Sequence, residues 1–303
     1  MPTFIYIPAA ATGSWEPDDL TDLRCWLDAS DTTTLFDAAT GGSLPAANGS
    51  IGRWEDKTTN NYDADDAVNA SNAKITTKRP TRITSAQNGL DAVGFSGSQW
   101  FDHNTARGML RNRSCALVAV AMKFGSTSTS SFQFAFSNRS TTGATPIIRC
   151  QLIHGNANKF ELYSLRLDAD SSTQAVSTSA NPPYNTDWHV HVAVLDWAAN
   201  TLSYYIDGSL IGTDSYATGG ANTSDTDLPT THDTWTAIGQ SNRSGANDNP
   251  LSSGSRIGEL ICAAKGSGSY STSDREKVEG YLAHKWGLTA NLPSGHPYKN
   301  SAP

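Results

Sequence analysis

The side chains of this sequence that could do chemistry fall into a few small groups. Asp63, Asp65 and Asp66 form the densest acidic group, in Asn61-Tyr62-Asp63-Ala64-Asp65-Asp66. Oxygen ligands at alternate positions suit Ca²⁺, so these three are candidate calcium ligands. No complete EF-hand pattern is present, and a solvated acidic loop is the simpler expectation. Trp100 is followed directly by Phe101-Asp102-His103-Asn104. A pyranose needs a flat apolar plate with fixed polar partners around it. Trp100, Asp102, His103 and Asn104, with Tyr62 nearby, are therefore the candidate carbohydrate-binding residues. Tyr184, Tyr216 and Trp235 are further loop aromatics, whereas Trp26, Trp188, Trp197 and Trp286 sit in patterns that suit core or flank anchors. His189 and His191 share one strand face without an evident third metal ligand, and are expected on an outer, polar face. The remaining histidines are scattered. A serine nucleophile would want Gly-x-Ser-x-Gly, and the nearest string, Ser252-Ser253-Gly254-Ser255, reads as a flexible loop.

Short strands must position these residues. Leu23–Asp28, Ile51–Trp54, Leu90–Phe95 and Gln99–Phe101 read as strands, the last two bracketing Ser96-Gly97-Ser98 as a hairpin turn. Ala116–Phe124 is apolar on both faces and is expected as a central, doubly covered strand. Phe132–Phe136, Ile147–Ile153, Phe160–Leu167, Trp188–Leu195 and Leu202–Ile206 follow, then the hairpin dipeptide Asp207-Gly208. Ala237–Gly239 and Ile257–Ala263 close the β region. One helix is expected over 274–286, with Ser273 and Glu276 as a capping box and Val278, Tyr281, Leu282 and Trp286 on one face. Gly287 suits the C-cap. Residues 1–19 read as an arm that pairs with a neighbouring chain, and 20–303 as one domain.

Composition fits this picture. The chain has 303 residues, a net charge of −7 and 17 % charged residues, below the usual ~25 %. Ser, Thr, Asn and Gly replace the missing charge, which excludes a coiled coil and argues against a nucleic-acid binder. Eight Trp, ten Tyr and nine Phe supply a core. No apolar run approaches the ~20 residues of a membrane helix, and the start Met1-Pro2-Thr3-Phe4-Ile5 carries no basic n-region, so neither membrane insertion nor a secretory signal is expected. Cys25, Cys115, Cys150 and Cys262 lack metal-site spacing and are expected as buried free thiols.

Several phrases occur in a telling order. They are Leu27-Asp28-Ala29-Ser30-Asp31, Ile51-Gly52-Arg53-Trp54-Glu55-Asp56-Lys57, Asn88-Gly89-Leu90-Asp91-Ala92-Val93-Gly94-Phe95, Trp188-His189-Val190-His191, Gly258-Glu259-Leu260, and Tyr281-Leu282-Ala283-His284-Lys285-Trp286-Gly287-Leu288 with Leu292-Pro293 and His296-Pro297-Tyr298. Over roughly residues 20–300 the chain resembles the concanavalin A-like (laminin G-like) lectin/glucanase superfamily, and more narrowly the lectin-like domains of bacteriophage virion proteins and aquatic-bacterial surface proteins. The resemblance implies an all-β, antiparallel jelly-roll β-sandwich with one C-terminal flanking helix. It leaves function open, because such folds host lectins, glycosidases and structural modules.

The glucanase branch carries Glu-x-Asp-x-x-Glu on one strand, and no glutamate here, from Glu16 to Glu279, fits that spacing. A non-enzymatic virion protein is therefore expected: a capsid decoration, head fibre or tail-associated subunit in many copies or as a homo-oligomer. It would meet other virion proteins through its arm and host glycans weakly, require no cofactor beyond candidate calcium, and bind no nucleic acid. A secreted, extracellular carbohydrate-binding adhesin is the alternative, and a glycoside hydrolase comes third.

Overall fold

The computed structural model describes residues 14–67, 74–103, 108–126, 132–140, 147–155, 159–164, 174–177, 185–216, 234–241 and 249–303. In chain order its strands are β1 Leu23–Asp28, β2 Leu35–Phe36, β3 Arg53–Trp54, β4 Ala64–Asp66, β5 Thr81–Gln87, β6 Leu90–Gly94, β7 Phe101–Asp102, β8 Cys115–Lys123 and β9 Gln133–Ser140. Then come β10 Ile147–Gly155, β11 Lys159–Ser164, β12 Gln174–Ser177, β13 His189–Asp196, β14 Thr201–Ile206, β15 Ser209–Ser215, β16 Thr234–Ile238 and β17 Arg256–Lys265, followed by the helix α1 Thr272–Lys285. The strands form two antiparallel sheets. One runs β15-β14-β13-β8-β17-β6-β5 with β1 also on β17, and the other runs β12-β11-β10-β9-β16-β7-β4-β3-β2. The expected all-β sandwich with a single C-terminal helix is the fold observed.

Alternation explains most of the packing. In β8, Ala116, Val118, Val120 and Met122 face the core between the sheets, while Leu117, Ala119 and Ala121 face α1. Successive strand residues point to opposite faces, so a strand apolar on both faces is one covered on both faces. The hairpin turn at Asp207-Gly208 is present, both residues having positive φ (49° and 76°). Asn88-Gly89 (50° and 77°) makes a second, between β5 and β6. Ser96-Gly97-Ser98 does not make a hairpin: β6 and β7 lie in different sheets, and this turn carries the chain across the sandwich.

The helix begins two residues before the expected start. Ser271 is the N-cap and accepts from the Asp274 backbone N–H, while the Asp274 carboxylate reaches back to the Ser271 N–H. Its C-terminal end is as expected, with Gly287 at φ +68°. Trp286 is fully buried and stacks on Trp188 with centroids 5.5 Å apart. A Cβ on Gly258 would come within 2.4 Å of the Trp286 ring, so the strand needs glycine there.

A buried polar network fastens this helix to the sheet. Glu259, with no exposed surface, accepts from Trp26 Nε1 (2.6 Å), Trp286 Nε1 (3.0 Å) and the Tyr281 hydroxyl (3.0 Å). Lys285 Nζ lies 2.9 Å from Glu259 and 2.7 Å from Asp28. Lys57 joins Asp28 (3.4 Å) to Asp31 (3.0 Å). Burial, then the neighbouring Asp28, raises the Glu259 pKa. Beyond the helix, Glu279 is held by Arg275 and by His296 (3.2 Å), and His284 lies 2.9 Å from the Tyr298 carbonyl. The phrases that carry the family resemblance thus meet in one structural joint.

The N-terminal boundary differs from expectation. Trp15 packs edge-on against Tyr281 at 5.9 Å, its backbone N–H donates to the Pro303 carbonyl (3.2 Å), and Pro17 and Leu20 are buried. Residues 14–19 therefore belong to the domain, and the remainder of the expected arm lies outside the described residues. All four cysteines are free and buried.

Candidate functional site

The two sheets leave very different outer faces. That of the eight-stranded sheet is covered over its central strands by α1 and the C-terminal tail. That of the nine-stranded sheet carries a polar row. Following the register, Arg53 lies opposite Asp65, Asp65 opposite Asp102, Asp102 opposite Ala237, Ala237 opposite Ser137, Ser137 opposite Gln151, and Gln151 opposite Tyr163. Residues directly opposite share a face. The next row, Phe101, Ile238, Phe136, Leu152 and Leu162, faces the core.

The centre of the polar row is buried and self-satisfied. Gln151 Nε2 donates to Ser137 Oγ (2.7 Å), and Ser137 Oγ donates to the Ser241 carbonyl (2.9 Å). Its two ends are accessible. At one end the Asp65 side chain is 34 % exposed and pairs with Lys74, while Arg53 bonds Glu55 (2.6 Å). Burial, with Asp66 and Asp63 as like-charged neighbours, raises the Asp65 pKa against the opposing pull of Lys74. At the other end the Tyr163 hydroxyl donates to Glu161 (3.0 Å) and burial pushes its pKa up to about 12. Carboxylates and a phenol of this kind accept and donate to hydroxyl groups.

The sequence candidates land in or near this face, with corrections. The acidic and aromatic segments are neighbours, since β4 pairs with β7. Trp100, however, is fully buried, with Lys78 Nζ 5.4 Å from its ring centre, so it offers no open plate to a sugar. Its polar neighbours suggested exposure, but Asp102 and His103 are buried with it. Asp102 is on the row and buried. His103 is fully buried, with Nε2 against the Tyr62 carbonyl and 3.7 Å from Cys25 Sγ. Burial lowers its pKa to about 4. Tyr62 is half-buried, its hydroxyl accepting from Arg24 (3.3 Å). Asn104, Tyr184 and the Trp235 side chain lie outside what is described, and Tyr216 is buried.

The three candidate calcium ligands do not converge. Asp63 Oδ1 accepts from the Asp56 N–H (2.9 Å), Asp65 faces Lys74, and Asp66 grips Arg79 through both oxygens (2.5 and 2.8 Å). Asp65 and Asp66 point to opposite faces of β4, so the group does not fit one ion. Among the described residues no cluster of three or more His, Cys, Asp or Glu could hold a metal. His189 and His191 are buried rather than on an outer face: His189 pairs with Asp207 (2.5 Å), and His191 Nδ1 lies 2.8 Å from the Tyr204 hydroxyl. A groove of about 520 Å³ lies beside β1, lined by Asp18, Asp22, Trp26, Lys57 and Asn60. Lys57 Nζ sits 4.1 Å from the Trp26 ring centre, which occupies that indole face.

No protein-family model and no curated protein matches the chain. Among solved structures it is similar to the sialidase of Trypanosoma rangeli in complex with 2,3-difluoro-KDN, at 13 % identity and TM-score 0.51, over 88 % of this chain and 33 % of that one. The same sialidase, as a covalent intermediate with 2,3-difluorosialic acid, gives 15 % and 0.51 over 92 % and 36 %. The likeness thus spans about a third of the enzyme. The CBM40 of Ruminococcus gnavus IT-sialidase, bound to α2,3-sialyllactose, is 16 % identical with TM-score 0.47, over 60 % of this chain and 92 % of that one. At such identities the likeness concerns the fold alone.

Proposed function

We propose that this chain is a non-catalytic glycan-binding domain acting in many copies, and that glycans meet the outer face of its nine-stranded sheet. One observation carries the reading. The two accessible ends of the cross-strand row, Arg53 with Asp65 and Tyr163 with Glu161, present polar groups on the outer face that the helix does not cover. The buried glutamates favour a non-catalytic role: Glu259 and Glu279 have no exposed surface and are held by Lys285 and Arg275. A site open at its ends gives weak single contacts, of order ~4 kcal/mol at millimolar affinity, so adhesion rests on multivalency. The setting proposed is a virion surface, with a secreted bacterial adhesin as the alternative. Four buried, free thiols suit a protein made in a reducing compartment.

The test compares monomeric chain with chain clustered on beads, on a glycan array. Clustered wild type should bind and the monomer should not. Asp65→Ala with Tyr163→Ala should reduce clustered binding at least tenfold without changing the melting temperature. A clustered chain that binds no glycan, or a double variant that binds as wild type does, refutes the proposal.

A further inference from the structure

A second site lies at the opposite side of the sandwich, where the start of β13 meets the β14–β15 turn. A cavity of about 310 Å³ opens there, at the lower end of the range of small-ligand pockets. Ile211 forms its apolar side, with the buried Ile206 behind it. Its polar lining is built on two buried side chains in contact with each other: His189 is 4 % and Asp207 5 % exposed.

The hydrogen bonds leave a defined set of groups for a ligand. Asp207 Oδ1 accepts from the Val190 N–H (2.8 Å), and its Oδ2 lies 2.5 Å from His189 Nδ1. His189 Nε2 lies 2.9 Å from Asn185 Oδ1, which also accepts from the Asp187 N–H (2.7 Å). A backbone N–H on that oxygen fixes which way the amide points, so the Asn185 amide nitrogen remains as a donor. Asn291 Nδ2 donates to the Trp188 carbonyl (3.3 Å), leaving its oxygen as an acceptor. The exposed Ser209 hydroxyl and Asp187 carboxylate complete the lining.

We propose that this cavity binds one neutral pyranose ring, as a sugar subsite separate from the sheet face. An apolar wall suits the C–H face of the ring, and a mixed set of donors and acceptors suits its hydroxyls. An anionic sugar would meet the Asp187 and Asp207 carboxylates, and the described lining offers it no lysine or arginine. A metal ion would find a single uncommitted carboxylate, Asp187. The selectivity follows from these charges: neutral hexosides bind and sialosides do not.

The experiment is saturation-transfer NMR on the purified full chain. The probes are methyl β-D-galactopyranoside, methyl α-D-glucopyranoside and methyl α-D-mannopyranoside, with the 2-O-methyl glycoside of N-acetylneuraminic acid as the anionic probe. At least one neutral probe should bind saturably near millimolar concentration, and the anionic probe should not. Asp187→Ala and Ser209→Ala, both at exposed positions, should weaken that binding at least tenfold in a chain that melts as wild type does. Asp65→Ala reports on the sheet face independently. If it abolishes binding while Asp187→Ala and Ser209→Ala keep it, the sugar sits on the sheet and this proposal is overturned. Equal binding by all variants, preference for the sialoside, or no binding by any probe overturns it as well.

Discussion

Acid should weaken this fold through His103 more than through any surface group. The imidazole is fully buried between Tyr62 and Cys25, and its pKa falls from 6.5 to about 4. The folded chain therefore takes up this proton later than the unfolded chain as pH drops. Stability from His103 is complete above pH 6.5 and is lost as pH falls towards 4. A shift of about 2.5 units at ~1.36 kcal/mol per unit, read at the folded midpoint, gives a loss of about 3 kcal/mol between pH 7 and pH 4. Other groups titrate in that range, so the measurement is a difference. Urea unfolding of wild type and His103→Gln should be followed from pH 7 to pH 4. The glutamine retains an N–H for the Tyr62 carbonyl but cannot titrate. The variant should lose about 3 kcal/mol less than wild type across that range. Proton NMR gives a direct check, because the His103 ring signals should hold still down to about pH 5. Parallel stability curves, or a ring that titrates near 6.5, would refute the burial argument.

Two further outcomes follow from the helix joint. Trp286→Ala removes a fully buried ring and one of the donors to Glu259, which should cost ~3–5 kcal/mol and lower the melting temperature by roughly 10 °C; calorimetry showing no change would mean that the helix is not anchored there. Ser271→Ala should cost about 1 kcal/mol while Ser273→Ala is nearly neutral, and the reverse order in chemical denaturation would move the cap back to Ser273.

The legible parts of this fold were those with strong alternation or a strong turn dipeptide. β8, β13, β14 and the Asp207-Gly208 turn follow directly from residue order. β5 was not legible because Thr81–Gln87 holds Ile83 as its one large apolar side chain, so no period stands out. The Ser96–Ser98 turn shows that the chain reverses, but turn chemistry carries no information on which sheet receives the next strand. The helix cap was misplaced because Ser-x-x-Glu and Ser-x-x-Asp overlap here, and the helix starts from the earlier one. The site was harder still. Polar neighbours made Trp100 look exposed, yet Trp100 and Asp102 are both buried, and so is His189, whose Nδ1 lies 2.5 Å from Asp207. No local pattern reports partners that lie 18 to 78 residues away in sequence, such as Asp207 for His189 or Cys25 for His103.

The residues most characteristic of the superfamily resemblance turn out to be committed to structure, and this narrows where function can lie. Taking a carboxylate such as Glu259 out of water costs several kcal/mol. Two indole N–H groups, a phenol and the Lys285 ammonium offset that cost only by occupying its oxygens. A carboxylate so engaged has no lone pair left for a substrate and no path to move a proton to one. The same holds for Asp28 between Lys57 and Lys285. The resemblance therefore identifies how the helix is fastened to the eight-stranded sheet, and that fastening removes the middle of its outer face, over β8 and β13, from contact with ligands. Recognition must then use the face or the edges that remain, where Asp65, Tyr163, Asp187 and Ser209 keep polar groups in reach of solvent.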